Sequence, residues 1–417
     1  MTSTPVPRRA PAPFLFFPLI LPYGTSFGFI SVAFAYLATH TAHPLSTEQT
    51  ISIVAAAFVP HTFKPLWAPI VDQTLTKKAW YLIALVLTVL GTVAVAAMPL
   101  SPDRIPVITA TVMISQIGLT LMGMACEAFM GLGVPDEKKG KAAGWYNAGS
   151  NFGVGVGGGV ALWLAQHLPA AWMAGAALGA LMLASAIALA FFDEPLREHA
   201  HTIVESLKEL GRNIASIFTT RNGIIAFLIC ISPIAAGASN QLFAPAADSW
   251  RVSADTVALI TGILGGLITS GGSMVGGYLA DRVPRKLLYA TSGGLMALTA
   301  ITLALAPHTP NAFITLTLVY AFFVGISYSA FSAVVLETIG KGAVATKYNI
   351  FAAAMNGAIT YMSMVVGRAD TRWGVTGALL TDAVCTLGSI VVLMALITFV
   401  LRPAGPGAAT PSQAKTS

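Results

Sequence analysis

The sequence predicts an all-α membrane protein, with twelve transmembrane helices in two related six-helix bundles. Three observations carry this expectation. Of the 417 residues, 55% are hydrophobic and only 10% are charged, and the mean hydropathy is +0.75. A soluble domain carries roughly 25% charge. Apolar runs long enough to span a bilayer, about 20 residues each, recur along most of the chain. Short loop motifs also recur about half the chain apart, the mark of a duplication.

The elements follow in order. Residues 1–13 are rich in Pro and Ala and read as a disordered N-terminus. Apolar runs occupy 14–39, 50–71, 79–98, 105–133, 142–166 and 170–192, a first bundle over 14–192. Arg8-Arg9 before the first run, and Ala33-x-Ala35 near its end, resemble a signal peptide. The run is longer than the roughly 7–15 residues of a signal core, so it reads as a retained first helix. Residues 193–220 form the longest internal connection. There Ile203, Leu207, Leu210, Ile214 and Ile217 fall at helical spacing between charged residues, which predicts an amphipathic linker helix. Runs at 221–247, 255–280, 286–306, 311–338, 344–368 and 373–401 make a second bundle over 221–401, and 402–417 reads as a disordered tail. No run alternates polar with apolar residues, as a lipid-facing barrel strand would.

Topology follows from the basic residues. With both termini cytoplasmic, the cytoplasmic loops collect Arg8, Arg9, Lys77, Lys78, Lys138, Lys139, Lys141, Arg197, Lys208, Arg212, Arg282, Arg285, Lys286, Lys341 and Lys347. The far side holds only Arg104, Arg251, Arg368 and Arg372. The positive-inside rule therefore places the chain in the cytoplasmic membrane in that orientation. The net charge of +6 is confined to these loops and does not point to nucleic acid. Cys126, Cys230 and Cys385 lie inside apolar runs and form neither a disulfide framework nor a metal-binding spacing. No phosphate-binding loop and no nucleophile–base constellation appears, so no enzyme, cofactor or metal is expected.

Three motif pairs mark the duplication. Gly277-x-x-x-Asp281-Arg282-x-x-Arg285-Lys286 has a degraded counterpart in Ala68-x-x-x-Asp72-Gln73, followed by Lys77 and Lys78. Lys139-Gly-Lys-Ala-Ala-Gly-Trp-Tyr146-Asn147 matches Lys341-Gly-Ala-Val-Ala-Thr-Lys-Tyr348-Asn349. Glu127 and Glu337 place one acid in the fourth run and one in the tenth.

The twelve runs, the central linker and these loop motifs resemble the major facilitator superfamily over nearly the whole chain. Within it, Phe63-Lys64-Pro-Leu-Trp67-Ala-Pro69-Ile-Val-Asp72 and Ala345-Thr346-Lys347-Tyr348 resemble segments of the muropeptide permease and acetyl-CoA transporter group. Leu162-Trp163-Leu164-Ala165 fits the same group, whereas Gly131 stands where that group commonly has a second acid. The resemblance implies a secondary transporter that works by alternating access.

Charge inside a membrane is costly, so each instance is a functional candidate. Lys64 lies eight residues before Asp72, roughly 12 Å inside by helical rise. Glu127 lies at a comparable depth, so the two are placed to pair. Two readings stay open for them, a fixed salt bridge in the first bundle and a proton or substrate-charge switch. Glu337 is the related candidate in the second bundle, either titratable or a partner for Lys341 and Lys347. Asp382, in the last run, reads as packed against a polar neighbour. Asp72, Asp281, Arg282 and Arg285 are candidates for a cytoplasmic gate, because aspartate caps helix ends and arginine offers forked donors. Tyr23, Gln116, Asn147, Asn151, Asn240, Gln241, Tyr348 and Asn356 are candidates for the substrate path, suited to hydroxyls and amides. Tyr23 leads them, since Pro22 and Gly24 flank it. Gly149, Gly153 and Gly157, and likewise Gly272 and Gly276, recur every four residues and predict close helix contacts. His40 and His43 lie three apart in an outer loop and carry little weight as a metal site.

The expected function is proton-coupled import of a polar, sugar-peptide-like solute by a monomer in the lipid bilayer. A siderophore importer, a drug or metabolite exporter, and a non-transporting assembly factor are the alternatives.

Overall fold

The computed structural model describes residues 10–39, 45, 47–194, 208, 211, 212, 214, 215, 217–234, 236–253, 256, 257, 259–339 and 344–396. Among these the regular structure is entirely helical. The first half contains α1 (Pro13–Phe34), α2 (Thr47–Thr62), α3 (Lys64–Gln73), α4 (Lys77–Ala97), α5 (Ile105–Gly133), α6 (Lys139–Gly155), α7 (Ala161–His167) and α8 (Ala171–Ser185). The second contains α9 (Arg221–Ile231), α10 (Asn240–Ala246), α11 (Leu259–Ala280), α12 (Arg285–Leu305), α13 (Pro310–Thr338) and α14 (Val344–Ala395). The linker helix expected over 203–217 and the His40–His43 pair fall largely or wholly outside the described residues.

These elements give the twelve expected crossings, though several are not single rods. α2 and α3 make one crossing with a break at Phe63. α6 and α7 join through a π-helical turn at Val156–Val160. α9 and α10 are separated by an irregular stretch in which Gly237 adopts φ +67°, a value that side chains rarely allow. α14 holds two crossings, divided where Gly374 turns the chain at φ 67°, ψ −177°. Three helix starts carry side-chain caps. Thr76 accepts from Ala79 N–H, Thr220 from Gly223 and Thr309 from Ala312.

Packing repeats between the halves. Lipid tails are as apolar as leucine, so close van der Waals contact and polar bonds hold such helices together. Gly149, Gly153 and Gly157 lie against the α1 backbone at Phe17, Leu21 and Thr25. Gly272 and Gly276 lie in the same manner against Phe322 and Ile326 of α13. In each half a buried tyrosine bonds a carbonyl of the bundle's first crossing, Tyr81 to Leu19 at 2.8 Å and Tyr289 to Ile234 at 2.7 Å. The bundles meet along α6 and α11, and where α3 meets α14. The end of the fold carrying Lys77, Lys138, Arg282 and Lys286 is called the basic end below.

Candidate functional site: a charged cavity between the bundles

The break in the second crossing positions Lys64. Phe63 leaves helical geometry at φ −89°, ψ 3°, and α3 restarts at Lys64 with Pro65 in its first turn. Proline has no N–H to donate and fits there without loss. Lys64 Nζ then lies 2.8 Å from Glu127 Oε1 of α5, with the two side chains only 10% and 3% exposed. Such a pair survives burial only where further hydrogen bonds complete it.

Those bonds come from the duplicated Tyr-Asn motif. Tyr146 OH donates to Glu127 Oε1 at 3.3 Å, and Asn349 Nδ2 donates to Oε2 at 2.8 Å. The partners of these two residues converge on a second acceptor. Asn147 Nδ2 donates to Ser332 Oγ at 3.1 Å, and Tyr348 OH lies 2.9 Å from the same oxygen. Each tyrosine thus bonds within its own bundle, and each asparagine reaches across to the other. Ser332 occupies the place that the sequence motifs give to Glu337.

A third group extends the site. Tyr23 OH lies 3.1 Å from His61 Nδ1, and His61 Nε2 lies 3.1 Å from Gln116 Oε1. Gln116 Nε2 reaches Ser26 Oγ, which bonds Thr92. Gln116 is fully buried behind His61 and does not line the cavity described next. His61 is absent from the candidates read in the sequence. Its spacing of three from Lys64, one helical turn just after Pro60, was the available signal.

Tyr23, His61, Lys64, Glu127 and the two Tyr-Asn pairs line a cavity of about 290 Å³, together with Ser150, Asn151, Tyr328, Phe331, Ser332 and Asn356. A second cavity of about 700 Å³ shares Asn151 and Tyr328 with it. It runs toward Trp163, Gln166 and Leu259, away from the basic end, and Asn240 lines it. Lys64 and Glu127 are the lysine and acidic residues of the inner cavity wall. The side chain of Gln241 is outside the described residues, as are those of Asp72 and Gln73.

The basic end is closed by contacts between the bundles. Asp281, just past α11, accepts from the N–H groups of Gly140 and Lys141 at 2.7 and 3.0 Å, at the start of α6. Burial pushes its carboxyl above the usual value, and those two N–H bonds draw it back down. Arg285 donates to the Asp136 carbonyl and stands 3.6 Å from Glu337, whose side chain is 51% exposed. Glu337 therefore sits with the gate residues and not in the cavity. The Arg282 guanidinium stacks on Tyr278, 3.5 Å from the ring centroid. Gly144 and Gly277 touch backbone to backbone, so a Cβ on Gly277 would lie 2.5 Å from Gly144 Cα.

One more buried carboxylate lies in the second bundle. Asp382 Oδ2 accepts from Ser239 N and Oγ at 3.1 and 2.5 Å, and from Tyr320 OH at 3.4 Å. Ser239 opens α10 after the irregular stretch, so Asp382 ties the last crossing to the broken one.

No curated protein matches the chain. Among solved structures, the Escherichia coli fucose:proton symporter FucP is similar at 17% identity and TM-score 0.70, covering 92% of this chain and 98% of its own. The proton:xylose symporter XylE is similar at 16% identity and TM-score 0.64, covering 93% and 96%. A human organic anion transporter, TETRAN, is similar at 15% identity and TM-score 0.66, covering 91% and 98%. At such identities these likenesses establish the fold. The family model described as Major Facilitator Superfamily matches residues 16–243 and 225–417, so the chain belongs to that superfamily and is a membrane transporter, not an enzyme.

Proposed function

We propose that the chain is a proton-coupled importer of a polar organic solute, working by alternating access in the cytoplasmic membrane. The observation that carries this reading is the bonding of Glu127. One buried carboxylate accepts at once from Lys64 in its own bundle and from Asn349 in the other. Its protonation state therefore bears directly on whether the bundles stay joined at the cavity. Two structural neighbours, FucP and XylE, are proton-coupled sugar symporters, which supports that reading.

The cycle runs as follows. In the empty form Glu127 is ionised and held by Lys64, Tyr146 and Asn349. A proton and the solute arrive through the larger cavity while the contacts of Asp281 and Arg285 keep the basic end shut. Protonated Glu127 has lost its charge and releases Lys64 and Asn349. The bundles, 14–192 and 221–401, then rock about the site. The proton leaves toward the basic end, and Glu127 recaptures Lys64. The basic end is the cytoplasmic one by the positive-inside rule, with both termini on that side.

The cavity wall favours a mid-sized solute rich in hydroxyl and amide groups. A sugar-peptide, as in the muropeptide permease group, is the first choice and a siderophore the second. Tyr23, Asn147, Asn151, Tyr348 and Asn356 line the inner cavity and supply donors and acceptors for it, while Asn240 lies on the approach. A monomer holds the whole path.

The test is uptake by the purified monomer in proteoliposomes, across a panel of sugar-peptides, with pyranine inside to read proton entry. Solute and protons should enter together, and E127Q should abolish both while the protein stays folded. Proton-driven accumulation by E127Q at the normal rate would overturn the reading.

A further inference from the structure

The three donors around Glu127 form a carboxylate receptor. Lys64 Nζ and Tyr146 OH point at one oxygen and Asn349 Nδ2 at the other, from α3, α6 and α14. Together they match what a carboxylate accepts, namely charge at one oxygen and hydrogen bonds at both. In the empty form Glu127 itself fills this receptor.

Protonation empties it. A protonated Glu127 no longer balances Lys64, which is left as an unpaired cation inside the membrane. Breaking a buried pair by removing one charge is strongly unfavourable. Nothing else on the wall supplies an anion. Among the described residues, the ionisable groups around the pair are Tyr23 of α1, His61 of α2, Cys126 beside Glu127 on α5, Tyr146 of α6, Tyr328 of α13 and Tyr348 of α14. The phenols and the thiol are neutral when protonated, and both nitrogens of His61 are engaged by Tyr23 and Gln116. The missing negative charge must therefore arrive with the solute.

We infer that the solute carries one carboxylate, which takes the place of Glu127 on Lys64, Tyr146 and Asn349 as Glu127 takes up its proton. The inference rests on the proton-coupled reading above and names the chemical class that reading leaves open. Charge balances at every stage. Before binding, the site holds one cation and one anion. After it, the site holds Lys64, the solute carboxylate and a neutral Glu127. One proton and one monoanion cross together, so transport moves no net charge. A single lysine suits a carboxylate and leaves a dianionic phosphate half balanced. Since Asn349 belongs to the second bundle, the solute carboxylate also rejoins the bundles around itself.

The receptor can be tested without knowing the solute. E127A removes the Cγ methylene and the carboxylate, which together are the atoms of acetate. Acetate should stabilise E127A against thermal unfolding by about 3 °C or more, with acetamide inactive. The response should disappear in the double variant K64A/E127A. Should E127A not be recovered folded, E127Q is read in the same way. Equal responses to acetate and acetamide, or none to either, would overturn the inference. So would a larger response to methyl phosphate than to acetate. In proteoliposomes, sugar acids and sugar-peptides bearing one free carboxylate should enter about ten-fold or more faster than their primary amides, because the amide leaves Lys64 unpaired. An oxonol dye should report no potential as they enter. Amides carried as fast as the acids, with proton entry still dependent on Glu127, would sink the carboxylate assignment and leave proton coupling standing. Acid uptake without proton entry would do the reverse.

Discussion

Asn349 Nδ2 lies 2.8 Å from Glu127 Oε2, and this bond joins the two halves of the transporter through a group that can be protonated. Losing a hydrogen bond to a charged acceptor costs about 1.5–3 kcal/mol. N349A should therefore shift the protein toward separated bundles by about ten-fold or more. Labelling of a cysteine introduced on the cavity wall checks this, since the variant should label faster from the basic end. Unchanged labelling would mean that Asn349 does not hold the bundles.

The Lys64–Glu127 pair makes a double-mutant cycle informative. K64A leaves a buried carboxylate without its cation, which should cost about 3–5 kcal/mol of stability. K64A/E127A removes both charges and should be more stable than K64A alone. Denaturation of the detergent-solubilised variants reads the order. Simple addition of the two single effects would show that the pair is not coupled.

Closure of the basic end depends on glycine at a crossing. An alanine Cβ at Gly277 would lie 2.5 Å from Gly144 Cα and 2.6 Å from the Gly140 carbonyl oxygen. G277A should hold that end open and slow uptake by roughly the ten-fold per 1.4 kcal/mol that its clash costs. G271A, with nothing within 4 Å of its Cβ, is the control. Equal rates for the two variants would remove Gly277 from the gate.

Asp281 closes the same end by capping α6, so D281N should slow transport. Because the N-terminal motif is degraded, with Gln73 in place of arginine, Q73A should slow it less. Equal rates in the two variants would count against unequal gates.

Asp382 is a different kind of carboxylate. It bonds Ser239 and Tyr320 in the second bundle, away from the inner cavity wall. D382A leaves the Ser239 and Tyr320 donors without their acceptor, at about 1–3 kcal/mol for each buried group so exposed. It should lower the thermal midpoint while leaving proton coupling intact. Loss of coupling in a folded D382A would give Asp382 a transport role.

The crossings were legible because each is a long apolar run, and lipid leaves an apolar chain little but helix. Interruptions at Phe63 and at 232–239 were harder to read, since the runs stay apolar through both. Lys64 and Glu127 were legible as intramembrane charges at matching depth. Asn349 was visible as half of a repeated Tyr-Asn pair, but nothing in sequence said that it reaches the other bundle. Glu337 shows where repeat matching fails. It aligns with Glu127 by residue type, yet the acceptor shared by Tyr348 and Asn147 is Ser332, more than one helical turn earlier on α13. Gln116 reads as a path residue by polarity alone, which cannot tell a cavity wall from the layer behind it, and His61 is passed over.

The crossed Tyr-Asn pairs give the two halves matching bonds, a tyrosine from the same bundle and an asparagine from the other, on two unlike acceptors, Glu127 and Ser332. Ser332 keeps its hydroxyl at any physiological pH, whereas Glu127 gains and loses a charge. On the proposed coupling, a single acid on one side of the molecular dyad turns a passive see-saw into a motor.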